Sequence, residues 1–267
     1  MILPFFKYHG AGNDFIILDG RFRDYQQLIP QLHATIEGLC HRHTGIGADG
    51  LMILERDPLH DFRMLYFNSD GYEGTMCGNG GRCLVAFARH LGMIDQQTRF
   101  MASDGVHDAS IIGRQHHEMV VALGMKDIHE IRQVGEHWFL DTGSPHLICF
   151  TDQLETLDVI TEGRRFRHSE PFMPEGTNVN FVQIAGQQLL IRTYERGVEN
   201  ETLACGTGIT AAAIAAHHAG LLPLLPSFAV KARGGDLQVS FKLEGGIYQK
   251  VILQGPAVQV FKGEIAI

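Results

Sequence analysis

Short apolar runs separated by glycine-rich polar loops fill most of the chain and predict strands. In the first half these are Phe5–Tyr8, Phe15–Leu18, Leu51–Leu54, Phe62–Phe67, Arg99–Ala102, Ala109–Ile112 and Glu118–Leu123. The series resumes with Trp138–Leu140, Leu147–Phe150, strands ending at Tyr194-Glu-Arg-Gly197, and then Phe228–Ala232, Leu237–Phe241 and Ile247–Val260. Helical spacing predicts a helix over Tyr25–Cys40 and another in Gln153–His168 that gives way to a polar turn. Two further helical stretches, Thr75–Gly92 and Leu203–Gly220, share one plan: Cys-Gly-x-Gly opens each, and a glycine that can hold a left-handed residue ends each, at Gly92 and Gly220.

The match extends upstream without a gap, because Tyr66 and Tyr194 precede their cysteines (Cys77, Cys205) by the same interval, as do Asn68 and Arg196. Gly143-Ser144-Pro145-His146 likewise falls on Gly12-Asn13-Asp14-Phe15. This pattern predicts an internal duplication into residues 1–118, carrying Cys77, and 119–267, carrying Cys205, with the last few residues free to pack on the first half. Each half reads as strands, one long helix and more strands. The expected fold is therefore α/β (α+β), with two pseudo-symmetric domains, each a strand-rich sheet wrapped around a central helix. Strict strand-helix alternation is missing, which argues against a Rossmann sheet, and no glycine loop ends in Gly-Lys-Ser/Thr as a P-loop would.

A chain of 267 residues holds ample core for two domains. A net charge of −8 with 22 Lys+Arg gives no basic footprint for nucleic acid, so none is expected as a partner. The uncharged stretch between Glu201 and Lys231 is broken by Gly206, Gly208, Gly220, Pro223 and Pro226 and reads as a buried helix, not a membrane span. The N-terminus lacks the regions of a signal peptide, so a cytoplasmic protein is expected. A homodimer is left open.

The five cysteines form no dense disulfide framework. Cys40, Cys83 and Cys149 read as small buried hydrophobes. Cys40, His41 and His43 cluster, but no second pair at zinc spacing accompanies them, so no metal is expected. His116-His117 and His217-His218 read as surface or core residues. Asp49, in Gly45-Ile-Gly-Ala-Asp-Gly50, could orient a neighbouring loop, but the usual use of Asp before Gly makes it a turn residue that satisfies its own backbone. Cys77 and Cys205 differ from the rest, since each stands at a helix start where unpaired N–H groups and the helix dipole attract anions and favour thiolate. Across a pseudo-twofold axis the two are expected to face each other over a cleft. Such a pair could form a disulfide, bind a metal or act as acid and base. The last uses both thiols: one takes a proton from a tetrahedral carbon, the other returns one to the opposite face, and N–H donors of Gly78, Asn79, Gly206 and Thr207 steady the carboxylate as charge develops.

The two cysteine boxes, with GAGNDF, GIGADG, FNSDG, GSPH, NVNF and YERG in this order, closely resemble the diaminopimelate epimerase family over nearly the whole chain. The resemblance implies a cofactor-independent isomerase that interconverts LL- and meso-2,6-diaminopimelate for lysine and cell-wall synthesis. It further implies that Cys77 and Cys205 are the acid/base residues, that Gly78, Asn79, Gly206 and Thr207 cradle the reacting carboxylate, and that Asn13, Asn68, Asn178 and Arg196 grip the distal end. His146 and Glu195 match residues near the reacting amine, and Ser144 stands where many members have Asn. The rival readings are a proline racemase or hydroxyproline epimerase of the same two-cysteine kind, and a dithiol redox or metal-binding module without enzymatic activity.

Overall fold

The structure, a computed structural model, describes residues 1–115 and 118–267; the reading of His116 and His117 lies outside the described residues. The first half runs β1 (Ile2–Gly10), β2 (Asn13–Asp19), α1 (Tyr25–Leu28), α2 (Leu32–Cys40), β3 (Gly50–Glu55), β4 (Phe62–Asn68), α3 (Gly78–His90), β5 (Gln97–Ala102), β6 (Gly105–Gln115) and β7 (Glu118–Gly124). It continues with β8 (Ile131–Val134), β9 (His137–Asp141), β10 (Pro145–Phe150), α4 (Val159–Arg167), β11 (Asn178–Ala185), β12 (Gln188–Glu195), β13 (Asn200–Thr202), α5 (Gly206–His218), β14 (Phe228–Ala232), β15 (Gly235–Glu244) and β16 (Ile247–Ala266). Two compact units result, Met1–Leu123 with Gly255–Ile267, and Gly124–Gln254.

Both units repeat one topology. In the first, β1 pairs antiparallel with β2, β2 parallel with β3 and β3 antiparallel with β4. After the helix, β5 joins β4 in parallel and leads into the antiparallel strands β6 and β7. In the second, β9, β10, β11 and β12 repeat antiparallel, parallel, antiparallel, and β14 joins β12 in parallel before β15 and β16 follow antiparallel. The end of β16 pairs with both β7 and β1, so the first unit's eight strands close into a ring. In the second unit the matching seam is irregular: Ile128 exchanges both backbone hydrogen bonds with Tyr248, and β8 then pairs with β9.

Why the strands read as solid apolar runs follows from what covers them. Phe15–Leu18 and Leu51–Leu54 are buried throughout, because α3 packs on one face of β1–β4 while Tyr25, Ile29, Ile36 and Leu39 cover the other. In the second unit, Val159 and Phe172 cover Leu147, Val179 and Tyr194 on one face of β10–β12, while α5 packs against these strands. The central helices α3 and α5 are 13 residues each and buried along nearly their whole length. Their ends are built alike. Met93 N–H reaches Ala88 O and Gly92 N–H reaches Arg89 O, and Leu221 and Gly220 repeat this on Ala216 and His217, with Gly92 at φ 69° and Gly220 at φ 70°.

Two helical expectations need correction. Tyr25–Cys40 is not one helix: Pro30 supplies no N–H for it and Gln31 takes φ 46°, so the segment divides into α1 and α2. In Gln153–His168 the helix begins only at Val159, where Asp158 caps it by accepting from Thr161 N–H. The strand β8 lay outside the expectation, since Ile131–Val134 buries neither face.

Candidate active site

In the first unit the site-forming residues gather at one end of the sheet, where β2 begins, β4 ends and α3 starts. Ala11 (φ 54°) and Gly12 (φ 82°) form the tight turn between β1 and β2, so Gly10 pairs directly with Asn13. The glycine that matters for packing is Gly10. A Cβ there would lie 3.0 Å from Asn79 O and 3.4 Å from Cys83 Sγ, so its absence lets α3 seat against β1.

Cys77 occupies the N-cap of α3 with extended backbone (φ −109°, ψ 119°), and its carbonyl accepts from Gly81 N–H. Its thiol lies 3.7 Å from Asn13 Oδ1. That same oxygen accepts from Asn79 Nδ2 at 3.2 Å. Asn13 Nδ2 donates to Asp49 Oδ2 at 2.7 Å, and Asp14 N–H donates to the same carboxylate oxygen at 3.1 Å. Asp49 is therefore more than the turn residue expected of it, since it holds the neighbouring loop and the Asn13 amide. Asp14 is itself bound by Lys7 and Arg42, and Lys7 also donates to Gly47 O. Burial alone would raise the Asp14 carboxyl, but hydrogen bonds and charge from Arg42 and Lys7 outweigh it and hold the group at about 2. Asn68, exposed at the end of β4, pairs with Gly50 at the same end of the sheet.

The second unit brings the corresponding residues together with different chemistry. Cys205 is the N-cap of α5 (φ −113°, ψ 110°), buried, with Sγ 3.4 Å from Thr207 Oγ1. Thr207 Oγ1 meets His146 Nε2 at 2.9 Å and Ser144 Oγ at 3.2 Å, and Ser144 Oγ meets His146 Nε2 at 3.0 Å. Ser144 thus turns to the imidazole. The other ring nitrogen, Nδ1, accepts from Asn180 Nδ2 at 3.0 Å. That assignment is fixed because the same Nδ2 donates to Leu147 O at 3.1 Å, a carbonyl that can only accept, which leaves Oδ1 for the Thr193 hydroxyl. An imidazole that accepts at Nδ1 carries its proton on Nε2. Burial is the main cause that holds the His146 pKa at about 3, with Asp141 opposing it and Arg196 adding to it. His146 is neutral near pH 7. Gly208 makes room for this arrangement, since a Cβ there would lie 2.3 Å from Asn180 Oδ1.

Asn178 is buried and its amide is engaged by the protein: Nδ2 donates to Pro145 O and Ser144 Oγ, and Oδ1 accepts from Arg196 N–H at 2.8 Å. The Arg196 guanidinium forms no ion pair among the described residues. Glu195 Oε2 accepts from Thr202 Oγ1. Gly206 and Gly78 stand as first residues of their helices, and in both the side chain four residues on returns to their carbonyl: Thr210 Oγ1 to Gly206 O at 3.0 Å, Arg82 Nη1 to Gly78 O at 3.3 Å. Reading the motifs alone missed Arg82 and Asn180, and favoured the turn reading of Asp49 over its hold on the neighbouring loop. Arg82 carried a signal, as a charged residue directly ahead of the apolar run Cys83–Ala88.

The remaining thiols are shielded. Cys40 and Cys149 are pushed up to about 12 by burial, and burial also raises Cys83. None of the five cysteines is in a disulfide. Among the described residues no three His, Cys, Asp or Glu side chains are grouped as a metal would require, and no helix is long and apolar enough to cross a membrane.

A family model described as Diaminopimelate epimerase matches residues 5–127 and 138–260. A Flavobacterium psychrophilum protein named diaminopimelate epimerase is 46% identical over 265 residues, covering 98% of this chain and 100% of its own. A Chlorobaculum tepidum protein of the same name is 44% identical over 265 residues, covering 97% and 99%. Among solved structures, a Bacillus anthracis phenazine biosynthesis protein of the PhzF family matches with TM-score 0.75 at 15% identity over 100% of both chains. A hydroxyproline epimerase from Agrobacterium vitis, with bound trans-4-hydroxy-L-proline, matches with TM-score 0.74 at 16% identity, covering 100% of this chain and 93% of its own. At such identities these two structures bear on the fold alone.

Proposed function

Because the chain belongs to the diaminopimelate epimerase family, we propose that it inverts one α-carbon of 2,6-diaminopimelate, LL to meso and back, with Cys77 and Cys205 as a thiolate/thiol pair and no cofactor. One observation carries the reading: both cysteines are N-caps of duplicated helices with the same backbone conformation, so each thiol sits at a helix mouth where negative charge is favoured. In either direction the thiolate takes the α-hydrogen as a proton, the electron pair remains on the carbon and delocalises into the α-carboxylate, and the other thiol returns a proton to the opposite face. The N–H groups of Gly78, Asn79, Gly206 and Thr207 are proposed to hold that carboxylate as charge grows.

Asn13, Asn68, Asn178 and Arg196 are proposed to surround the distal amino-acid end, with Arg196 as the fork for its carboxylate. His146 and Glu195 are proposed to stand near the reacting amine, His146 as a neutral donor through Thr207 and Ser144. A cytoplasmic setting belongs to the same reading, in keeping with Cys40, Cys83 and Cys149 as buried thiols. A homodimer belongs to the same reading, and a single-chain mass by light scattering would remove it.

Incubation with LL-diaminopimelate in deuterated water tests the activity. The expected result is meso product carrying solvent deuterium at one α-carbon. Exchange into L-proline alone would instead favour a proline racemase-like enzyme. Reduced, metal-free protein that exchanges neither substrate would sink the enzymatic reading altogether.

A further inference from the structure

We infer that Asp49 and Arg82 are positioning residues for Cys77: between them they fix which ends of the Asn13 and Asn79 amides meet, so that a carbonyl oxygen is turned toward the sulfur. The geometry leaves each amide one orientation. Asp49 Oδ2 can only accept, so the Asn13 end facing it at 2.7 Å is Nδ2, and Asn13 Oδ1 is left facing Cys77 and Asn79. Arg82 can only donate, so the Asn79 atom 2.8 Å from its Nη2 is Oδ1, and Asn79 Nδ2 is left for Asn13. A fixed acceptor and a fixed donor thus clamp the relay at its two ends.

Arg82 is an unusual residue for a packing role. It is fully buried, and among the described residues the partners of its guanidinium are neutral: Asn79 Oδ1, Gly78 O and Pro256 O. A buried cation without a carboxylate is costly, and burial lowers this one to about 10, with Cys83 and Cys77 opposing. At position 210, its counterpart in the second unit, a threonine suffices to satisfy the helix carbonyl. Within the first unit the ionisable groups around this relay are Asp49, Asp14, Arg42 and Lys7 on the loop side, and Arg82 and Cys83 on the helix.

The two clamps pull on the thiol in opposite senses. Asp49, by its charge and by holding the Asn13 oxygen toward the sulfur, favours the thiol. Arg82, by its charge, favours the thiolate. Removing each therefore shifts Cys77 in opposite directions, which a loss of packing alone would not do.

This inference rests on Cys77 as an acid/base group, but its test does not. Carbamidomethylation by iodoacetamide, read by mass spectrometry on the Cys77 and Cys205 peptides from pH 6 to 10, follows each thiol separately in wild-type, Asp49→Asn and Arg82→Met proteins. At pH 7, Asp49→Asn is expected to raise the Cys77 rate by about three- to tenfold and Arg82→Met to lower it about tenfold, the scale of one unit of thiol pKa. Arg82→Lys, which keeps the charge but not the planar fork, is expected to recover part of the loss. The Cys205 profile is expected to stay put. Cys77 shifts of the same sign in both variants, no shift in either, or equal shifts at Cys205 would each overturn the inference. If Arg82→Met does not fold, Asp49→Asn decides alone, since its side chain is 41% exposed and its replacement tolerable. A wild-type enzyme that alkylates as described but exchanges no α-proton would refute the proposed function and leave the relay standing.

Discussion

The two cysteine boxes are the same piece of backbone placed in two different polar environments. Both helices are 13 residues, both begin on an extended cysteine, and both end on a left-handed glycine with the same pair of hydrogen bonds. Behind Cys77 lie two amides and a buried guanidinium; behind Cys205 lie two hydroxyls and a neutral imidazole. Duplication preserved what the backbone must do and let the side chains diverge, as two thiols with opposite protonation states at any instant would require.

The hardest blow to the comparison is to remove either sulfur. Cys77→Ala and Cys205→Ala are each expected to cut full epimerisation by about a thousandfold or more, the range of a lost acid or base. Circular dichroism should show both variants folded. Substantial turnover by either one, measured as meso product from the LL isomer, would make the boxes unequal in kind and remove the two-base reading.

Next in size is the loss of the hydroxyl that joins Cys205 to His146. Thr207→Val keeps the shape but strips Oγ1 from three neighbours, His146 Nε2, Ser144 Oγ and Cys205 Sγ. The buried imidazole donor keeps only Ser144 Oγ, and the lost hydrogen bond is worth about 1 kcal/mol, so turnover is expected to fall about fivefold. Because His146 is held neutral, at about 3, the shape of the rate profile between pH 6 and 8 is expected not to acquire a histidine limb. Such a limb would show that the imidazole itself titrates during turnover.

Backbone sharpening comes third, and it also shows what could be read from the chain. Gly80 and Gly208 hold the same place in the two boxes and look interchangeable in sequence. A Cβ at 80 would meet the thioether of Met52 at 3.0 Å, a flexible neighbour, while at 208 it would lie 2.3 Å from the hydrogen-bonded Asn180 Oδ1. Gly208→Ala is expected to lower stability by about 1–3 kcal/mol and Gly80→Ala by less than about 1, as urea unfolding would measure. Equal losses would mean that the glycines serve only the helix backbone.

The repeated topology, the wrapped helices and the cysteine at each helix start were legible because they are carried by spacing and apolar runs, which survive as patterns in one dimension. What Asp49, Arg82 and Asn180 hold was not, since each acts across elements: Asp49 on the β2 start, Arg82 on the Asn79–Asn13 pair, Asn180 on His146 in the neighbouring strand. An Asp before Gly looks like any turn residue until the loop beside it is placed. The break in Tyr25–Cys40 was concealed because Ile29, Ile36 and Leu39 keep helical spacing on either side of Pro30.

The smallest effect separates the loops that lead into the boxes. Asp14, held by Lys7 and Arg42, has Pro145 as its counterpart, so only the first loop carries a carboxylate there. Its pKa is depressed in the folded chain, from an ordinary 3.8 to about 2, so its contribution is present above pH 4 and is lost as the pH falls from about 4 to about 2. With Arg42 half-exposed and its share screened by solvent, the contribution is about 1 kcal/mol. Asp14→Asn is expected to remove that increment at pH 7 and to flatten the fall in stability between pH 4 and 2, measured by urea unfolding at each pH. Hydrogen exchange should place the acid-induced loosening in residues 10–14 and leave 142–146 protected. Loosening of both loops together over that interval would show that the ion pairs do not distinguish the two entrances, and that acid acts on some feature the repeats share.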